Sequence, residues 1–573
     1  MDHSSKFDYV EYAAFISMLL LSIFIGFYFG CIKGGQNTVT GYLLGSKRMT
    51  VFPIIMSLVS TNISGITLLG MPTEVYMFGT QFVMSIVPAI VASIINVIAI
   101  LPVFYKLQLI SLYEYMELRF SSATRRIISF LYIFSWLTYV PTVIYGPGLA
   151  LNQVSGMNVH LVTPIISVIC IVYTTLGGLK AVVWSDTLQG TVMIGSVLAV
   201  MVLGINDVGG ITNVFKYAVE GDRLEFFNMD PSPTTRLSFW SACIGTFCTM
   251  LVSFSCSPAA VQRYNSLPTF KDARKSALGL AIGGSIFVVL SGFTGLIIYA
   301  RYKDCNPIAS QMISRPDQIL PLFVIEIATR VRGLSGLFMA GIVCAALSTM
   351  STGLNTLSGT IYEDFIEPLL PNKPTERKAS LILKFLVVAI GIVAVLLVTI
   401  VEKLGQLVEI AQGFGGMTSG TIQGIFLLGL FFPFANTTGA LWGGLVSLIT
   451  MTWLMAGNIL ANSNGLIRHV TKPMSTEMCA NVTESVPTQS SMETIMDYFP
   501  LYKVTVFYYS IIGCIIVLLI GIPLSLLTGG NKHKQLDLNL ISPLITPFCN
   551  VKKKYRYSGV PTKTELLSVT QKI

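Results

Sequence analysis

The sequence reads Met56-Ser57-Leu58-Val59-Ser60-Thr61-Asn62-Ile63-Ser64-Gly65-Ile66-Thr67 in the middle of its second long apolar segment. Small, hydroxylated and amide side chains crowd this point, and Gly70 and Pro72 follow. Lipid cannot satisfy the carbonyls of an interrupted membrane helix, so such carbonyls must line a cavity or bind an ion. We therefore expect a broken membrane helix here. The alternative is close helix packing, with the hydroxyls bonded to the preceding turn.

A second stretch has the same character and lies in the ninth apolar segment. It reads Cys344-Ala345-Ala346-Leu347-Ser348-Thr349-Met350-Ser351-Thr352-Gly353, and we expect a second interrupted span here. Exposed carbonyls and paired hydroxyls supply neutral oxygens, which suit a monovalent cation that must also be released. Ala345 precedes Ser348 and Thr349 by three and four residues, so the three share one helical face.

The composition indicates that the bilayer is the solvent of this chain. Of its 573 residues, 53% are hydrophobic and 11% are charged, and the mean hydropathy is +0.70; soluble domains carry about 25% charged residues. We expect the first apolar segment to remain as an anchor, because nothing like a cleaved signal peptide precedes it. Windows of about 20 apolar residues predict about thirteen spans, near 10–30, 51–72, 82–104, 127–152, 161–176, 184–205, 238–256, 277–300, 335–360, 381–401, 405–432, 438–460 and 504–528.

Lysine and arginine are distributed unevenly between the loops, which predicts the orientation. An outside N-terminus places the basic loops and the tail inside, so topology explains the net charge of +9 better than a nucleic-acid partner does. The sequon at Asn481 lies in the polar loop 461–503, which this orientation places outside, and we predict its glycosylation. Asn436 begins another sequon in a loop predicted inside, where it should stay unmodified. The basic cytosolic tail is a candidate contact for anionic lipid and for cytosolic partners.

Six motifs follow one another along the chain: Pro72-Thr73-Glu74-Val75-Tyr76, Tyr113-Glu114-Tyr115, Tyr145-Gly146-Pro147, Tyr173-Thr174-Thr175-Leu176-Gly177-Gly178-Leu179-Lys180-Ala181-Val182-Val183-Trp184-Ser185-Asp186, Val261-Gln262-Arg263-Tyr264 and Leu347-Ser348-Thr349. Together they resemble the sodium/solute symporter family, in particular its branch of monocarboxylate, multivitamin and iodide carriers. The resemblance implies an all-α polytopic membrane protein with a LeuT-like core, an inverted repeat of five plus five helices that includes broken helices.

One helix would precede this core and two would follow it. The implied divisions are 1–49 for the outside N-terminus, first helix and cytosolic loop, 50–206 for the first repeat, 207–237 for an extracellular loop, 238–432 for the second repeat, 433–528 for two further helices, and 529–573 for a cytosolic tail.

The resemblance also implies a sodium site, with Na+ as the co-transported ion. Its ligands would be the backbone carbonyls of Ser60, Ile63 and Ala345 and the hydroxyls of Ser348 and Thr349. Asp186 matches a family position that is linked to a second cation site, and a carboxylate near a membrane crossing is costly unless it serves a pathway. Alternatively, Asp186 caps the helix that follows it. Both interpretations stay open.

For the solute, the resemblance implicates Thr67, Gln81, Tyr145 and Gln412. A tyrosine offers an aromatic face and a hydroxyl, which suit a small organic acid. The chain departs from the branch at three places: it reads Ser255-Cys256-Ser257-Pro258-Ala259-Ala260 where amides are usual, Met77 replaces a common arginine, and Gln412 replaces an apolar residue. We expect a monocarboxylate, with vitamins such as pantothenate or biotin next, and iodide or sugars behind.

The residues argue against an enzyme. The sequence contains no HExxH, GxSxG or Walker-type motif, and its four histidines are dispersed. The ten cysteines show no metal-ligand spacing, and whether Cys305 pairs with Cys479 is left open. A plasma-membrane symporter that imports a small organic anion by alternating access is the leading hypothesis; a sodium-permeable channel and a non-transporting sensor are the alternatives.

Overall fold

The computed structural model describes residues 8–34, 37–328, 331–372, 374–402, 407–464, 467, 469–479, 499–530 and 537–548, and only the backbone of 407–412 and 463. Most of the described chain is helical. The helices of the first part are α1 Tyr9–Phe27, α2 Val39–Leu44, α3 Val51–Asn62, α4 Gly65–Phe78, α5 Ile86–Ile95, α6 Leu101–Leu107, α7 Glu114–Arg119, α8 Ser122–Ser155, α9 Val159–Asp207 and α10 Ile211–Glu220.

The helices of the second part are α11 Phe247–Ser255, α12 Pro258–Asn265, α13 Phe270–Arg301, α14 Ile319–Ala328, α15 Leu334–Ile361, α16 Glu376–Val401, α17 Leu407–Phe431, α18 Thr437–Ser463 and α19 Tyr509–Leu527. Several begin at a side chain that accepts a hydrogen bond from an early backbone N–H, as Ser121 does for α8 and Thr269 for α13. Such caps define where a span starts.

The described residues contain eleven helices that are long and apolar enough to cross a membrane, or twelve if the bent pair α2–α3 is one span. Two features explain the difference from the expected thirteen: 51–72 is divided between α3 and α4, and 161–176 and 184–205 are joined in α9. The 49 residues of α9 would extend about 74 Å if straight, far beyond a bilayer of about 40–45 Å. Gly178 has φ 53° and ψ −152°, and this break divides α9 near the boundary between two expected spans.

Contacts with α15 show that α9 folds back at this break. Tyr173 donates a hydrogen bond to the Leu347 carbonyl at 3.0 Å, whereas Gly341 packs against Ser196. In a straight helix, Tyr173 and Ser196 would be about 34 Å apart. Their partners Leu347 and Gly341 are only about 9 Å apart along α15. The two halves of α9 therefore lie side by side.

The first interruption is where we expected it, and the second is not. α3 ends at Asn62 and α4 begins at Gly65, with Ile63 at φ −96° and ψ 88°. In contrast, α15 runs unbroken from Leu334 to Ile361, because the hydroxyls of its predicted break bond within the helix. The prediction of an interruption there was wrong.

A second break does occur, between α11 and α12 at Cys256 and Ser257. Pro258 at the first position of α12 marks it, since proline is favoured at a helix start and disfavoured inside one. Pro258 lies in the segment that departs from the family branch, and no break was predicted there.

α15 lies at the centre of the bundle. In the most apolar stretch of the span that contains α15, 94% of the residues are buried, whereas the corresponding share for α1 is 28%. α15 packs against α1, α3, α8, α9 and α16. On one face of the bundle a disulfide joins Cys305 to Cys479, which settles the question of their pairing. The residue ranges given above for the repeats and the tail stay predictions.

Candidate functional site

Neutral oxygens from α3 and α15 come together at the first break. The Ser348 hydroxyl donates to the carbonyls of Ser60 at 3.0 Å and Ala345 at 3.1 Å. The Thr349 hydroxyl donates to the carbonyls of Thr61 and Ala345, both at 3.1 Å. Four of the five residues predicted for the sodium site thus share one cluster, and Ile63 is buried at the adjacent break.

This cluster, which we call the oxygen cluster (Ser60, Thr61, Ala345, Ser348 and Thr349), has the chemistry of a site for a small monovalent cation. Its groups carry no charge, and a hydroxyl that donates in one arrangement can turn its lone pairs to a cation in another. The described residues hold no group of three histidine, cysteine or carboxylate side chains that could bind a metal ion. The Thr61 carbonyl, which accepts from Thr349, was not among the residues predicted from the sequence.

Asp186 lies next to this cluster and forms a buried ion pair. Its carboxylate accepts from Arg263 at 3.0 Å and from the Ser57 hydroxyl at 2.5 Å, and the side chains of the pair are 0% and 1% exposed. Ser60 donates from its hydroxyl to the Asp186 backbone carbonyl at 3.0 Å. Asp186 lies well inside the second half of α9, so it does not cap the start of a helix.

Arg263 connects this ion pair to the two elements that carry the oxygen cluster. It donates to the hydroxyls of Thr61 on α3 at 3.2 Å and Thr352 on α15 at 2.6 Å. Those two hydroxyls lie 3.0 Å apart. The sequence shows Arg263 only as part of a motif, because its partner Asp186 lies 77 positions away and no local pattern reveals the pairing.

A cavity of about 370 Å³ lies beside the first break. Both breaks contribute to its wall, and so does Thr67. Most of the lining is apolar or aromatic, with Trp136 and Tyr139 of α8 among the residues, and hydroxyls of α4, α11 and α17 interrupt it. Among the described lining residues, two are charged, Glu74 and Arg263. The cavity is large enough for a small organic solute.

Two helices begin at this cavity. Ser64 precedes α4 and Ser257 precedes α12; both have extended backbones, both line the cavity, and neither side chain caps its helix. The first N–H groups of a helix lack partners within the helix and carry a partial positive charge. The cavity therefore offers an anion a favourable potential without an unpaired basic side chain.

Gln81 and Tyr145, which were also predicted for the solute, lie elsewhere. Gln81 donates to the Phe226 carbonyl at 2.6 Å and accepts from the Asn228 N–H at 2.8 Å. Tyr145 is buried, with its ring centroid 5.8 Å from the Arg315 guanidinium. Neither is among the described residues that line the cavity. The side chain of Gln412 and all of Asn481 lie outside the described residues.

A cavity between two broken membrane helices, with an oxygen cluster beside it, defines a cation-coupled membrane transporter of the alternating-access type. The profile of the Sodium:solute symporter family matches residues 42–447. The chain belongs to this family, and Na+ is its co-transported ion.

Three comparisons show how close its relatives are. A mouse protein, sodium-coupled monocarboxylate transporter 2, is 36% identical over 555 residues, covering 96% of this chain and 89% of the relative. A rabbit sodium-dependent multivitamin transporter is 33% identical, covering 95% and 86%. The solved structure of a Na+-coupled sialic acid symporter, in a substrate-bound outward-open state, aligns with a TM-score of 0.75 and 25% identity, covering 93% of this chain and all of that one. The predicted LeuT-like fold is thereby confirmed.

Proposed function

We propose that this protein imports a monocarboxylate together with Na+ across the plasma membrane. The observation that carries the proposal is the oxygen cluster shared by α3 and α15, directly beside a cavity where two helix N-termini meet. The relatives named as monocarboxylate transporters support the choice of solute.

Coupling follows from the position of the cluster. Ser60 and Thr61 belong to α3, whereas Ala345, Ser348 and Thr349 belong to α15. A cation bound by ligands from both helices favours the arrangement in which α3 and α15 are close, and α3 continues through the break into the cavity wall. Na+ therefore stabilises one cavity shape, and a solute that needs this shape binds more tightly when Na+ is bound.

We assign the sodium ligands as predicted, namely the carbonyls of Ser60, Ile63 and Ala345 and the hydroxyls of Ser348 and Thr349. Asp186 is proposed as part of a second cation position, where a cation would compete with Arg263 for the carboxylate. For the solute, Thr67 is supported by its place in the cavity wall. Gln81, Tyr145 and Gln412 stay predictions, and the contacts of Gln81 favour a role in holding the loop at Phe226.

The test is uptake of radiolabelled solutes by purified protein in liposomes, with an inward Na+ gradient and with choline in place of Na+. Butyrate, lactate, biotin, pantothenate, iodide and glucose form the panel. We expect Na+-dependent uptake of butyrate or lactate, and faster uptake when unlabelled solute is present on the opposite side, which a channel does not show. Uptake of neither monocarboxylate would contradict the proposal.

A vitamin is the second candidate. A multivitamin transporter is a relative over nearly the whole chain, and the cavity of about 370 Å³ exceeds what a three-carbon acid fills. Biotin and pantothenate also carry a carboxylate, so they would use the same helix N-termini. Na+-dependent biotin uptake without butyrate uptake would favour this candidate.

A further inference from the structure

A second pocket, of about 620 Å³, lies where α6 ends and α13 begins. Its wall holds two exposed lysines, Lys47 and Lys106, and two aromatic rings, those of Tyr105 and Phe270. The two rings pack together with their centroids 5.4 Å apart. Gln108 also belongs to the wall. We call this site the basic pocket.

The ammonium groups of the basic pocket bond to amides and not to carboxylates. Lys47 donates to the side-chain oxygen of Gln108 at 2.8 Å, and Lys106 donates to that of Asn539 at 2.5 Å. Within the described part of the chain, no carboxylate bonds to either lysine. An ammonium has three donors, so one bond to a neutral oxygen leaves each lysine with its charge and with donors for a ligand.

The surroundings of the basic pocket add positive charge. Arg48 follows Lys47 directly, and Lys271 and Arg274 lie in the first turns of α13. The Arg274 guanidinium is 5.7 Å from the centroid of the Phe270 ring. An anion that approaches this pocket therefore meets a positive potential.

The described carboxylates that are closest in sequence to these residues serve local structure. Asp272 accepts from the Thr269 hydroxyl at 2.6 Å at the start of α13, and Asp537 accepts from the Asn539 N–H at 2.9 Å. Neither bonds to a lysine of the basic pocket, so these acids leave its two ammonium groups available.

The backbone of the basic pocket is held in an unfavourable conformation. Lys47 and Gln108, whose side chains bond to each other, have φ values of 55° and 51°, and Ser46 beside them has φ 60°. Residues with a Cβ atom rarely adopt this left-handed region, and such conformations concentrate at ligand sites, where the surrounding structure maintains them. The two sides of the pocket are thus fixed relative to each other before any ligand binds.

The basic pocket lies on the inner side of the membrane. α13 begins at Phe270 in the pocket wall, crosses the membrane and ends at Arg301, four residues before Cys305. The disulfide of Cys305 belongs to an oxidising compartment. The pocket, at the opposite end of α13, therefore faces the inner leaflet, which is the leaflet that carries anionic lipids.

An apolar surface leads from the pocket into the membrane. Beyond Arg274, the exposed residues Leu278, Ile282 and Ile286 follow at steps of four along α13. Residues at this spacing are neighbours on a helix surface. The acyl chains of a lipid whose headgroup occupies the basic pocket can therefore pack along α13.

We propose that the basic pocket binds the phosphomonoester headgroup of an anionic lipid of the inner leaflet. Lys47 and Lys106 hold the phosphate, and their two charges match the charge of about −2 that a phosphomonoester carries at pH 7. Tyr105 and Phe270 pack against the rest of the headgroup. This lipid site is separate from the basic tail at 552–556, and it does not rest on the proposed function.

The test titrates the full-length protein, in phosphatidylcholine nanodiscs, with dioctanoyl phosphatidylinositol 4-phosphate and measures Kd by microscale thermophoresis. Dioctanoyl phosphatidylinositol lacks the phosphomonoester, and inositol 1,4-bisphosphate lacks the acyl chains. We expect both to bind at least about tenfold more weakly, because the first loses charge-assisted hydrogen bonds and the second loses apolar burial. Equal affinity for phosphatidylinositol would overturn the phosphomonoester, and equal affinity for the soluble headgroup would overturn a lipid as its source.

Lys47→Gln with Lys106→Gln removes both ammonium groups and should raise Kd for the phosphorylated lipid at least about tenfold. Lys33→Gln with Arg126→Gln is the matched control. It removes two exposed positive charges from the side predicted inside, and neither residue is among those that line the basic pocket. This control should keep Kd within about threefold of the wild-type value, because exposed charges farther away are screened.

Gln108→Glu tests the site without removing a lysine. The new carboxylate gives Lys47 a counter-charge and repels the phosphate, so Kd should rise about tenfold. This variant decides the question even if the double lysine variant does not fold.

Absent binding by the wild type would overturn the proposal, and so would equal losses in the double lysine variant and its control, which indicate an unspecific effect of surface charge. A wild-type Kd in the double lysine variant would place the lipid elsewhere, for example at the basic tail, and would also overturn it.

Discussion

At the scale of single residues, the hydroxyls of Ser348 and Thr349 decide between two interpretations, a cation site and ordinary helix packing. Each bonds to a carbonyl of its own helix and to one of α3. The structure thus contains both the bonds within α15 that helix packing predicts and the contacts with α3 that a cation site requires. Only the bonds to α3 give the hydroxyls a role beyond α15.

We predict that Ser348→Ala with Thr349→Ala raises the Na+ concentration for half-maximal uptake at least about tenfold. The variant removes two ligands, adds no bulk or charge, and keeps the three carbonyls, so the fold should persist. The apparent affinity for solute should also fall and recover at high Na+, because coupling is reciprocal. Uptake into liposomes at graded Na+ is the measurement.

Ser358→Ala is the control for this variant. The Ser358 hydroxyl is buried in the same helix and bonds to the Asn355 carbonyl at 2.9 Å, away from the cluster. It should leave the Na+ activation curve unchanged. A double variant with the wild-type curve would show that Ser348 and Thr349 serve only in packing.

The ion pair of Asp186 and Arg263 leads to a prediction about stability. Asp186→Asn leaves a buried arginine without its counter-charge, and loss of one partner of a buried pair costs about 3–5 kcal/mol. The unfolding temperature in detergent should therefore fall clearly. Glu220→Gln, in the exposed pair with Lys216, should cost at most about 1 kcal/mol. Equal effects of the two variants would contradict a structural role for the buried pair.

At the scale of helices, the sequence could predict the spans but not every break. Hydropathy located the membrane segments because each needs about 20 apolar residues, and small polar residues marked the gap between α3 and α4. The same composition in α15 produced no gap, since helical hydroxyls can satisfy themselves on the preceding turn. Composition therefore cannot distinguish a broken helix from a polar, buried one.

The cavity wall was harder to predict than the cation cluster. The cluster uses residues within two short stretches, one of them with helical spacing, whereas the wall combines α4, α8, α11, α12, α13 and α17. Aromatic residues such as Trp136 have no sequence signal that separates a cavity wall from an interfacial belt. The pairing of Glu74 with Arg236 joins residues 162 positions apart, which no local pattern reveals.

Gly178 leads to the prediction for α9. Its positive φ of 53° with ψ −152° is a region that residues with a Cβ atom rarely adopt, so Gly178→Ala should cost about 1–3 kcal/mol. Gly195→Ala is the control in the same helix, because a Cβ atom there meets open space. Unfolding temperatures in detergent would compare them; equal stability would mean that α9 can turn without this glycine.

At the scale of the whole molecule, the two sites are parts of one arrangement. α3 holds the oxygen cluster on one side of the first break and adds Leu58, Thr61 and Asn62 to the cavity wall, which α4 continues on the other side. A change in how α3 packs on α15 therefore alters the cavity wall at these residues and through the short, non-helical link at Ile63 and Ser64. Thr61 belongs to both the oxygen cluster and the cavity wall, so the two sites adjoin at the end of α3.

The orientation of the molecule supports a last prediction, that sugar is attached at Asn481 and not at Asn436. Asn481 follows two residues after the disulfide-bonded Cys479, so it shares the oxidising side that the distribution of basic residues also places outside. The side chain of Asn436 is instead engaged in hydrogen bonds within the protein. It accepts from the Gly439 N–H at 3.0 Å and donates to the Thr528 hydroxyl at 2.6 Å. Asn481→Gln should abolish the mobility shift caused by glycosidase, and Asn436→Gln should keep it. A shift that survives Asn481→Gln and disappears with Asn436→Gln would reverse the orientation.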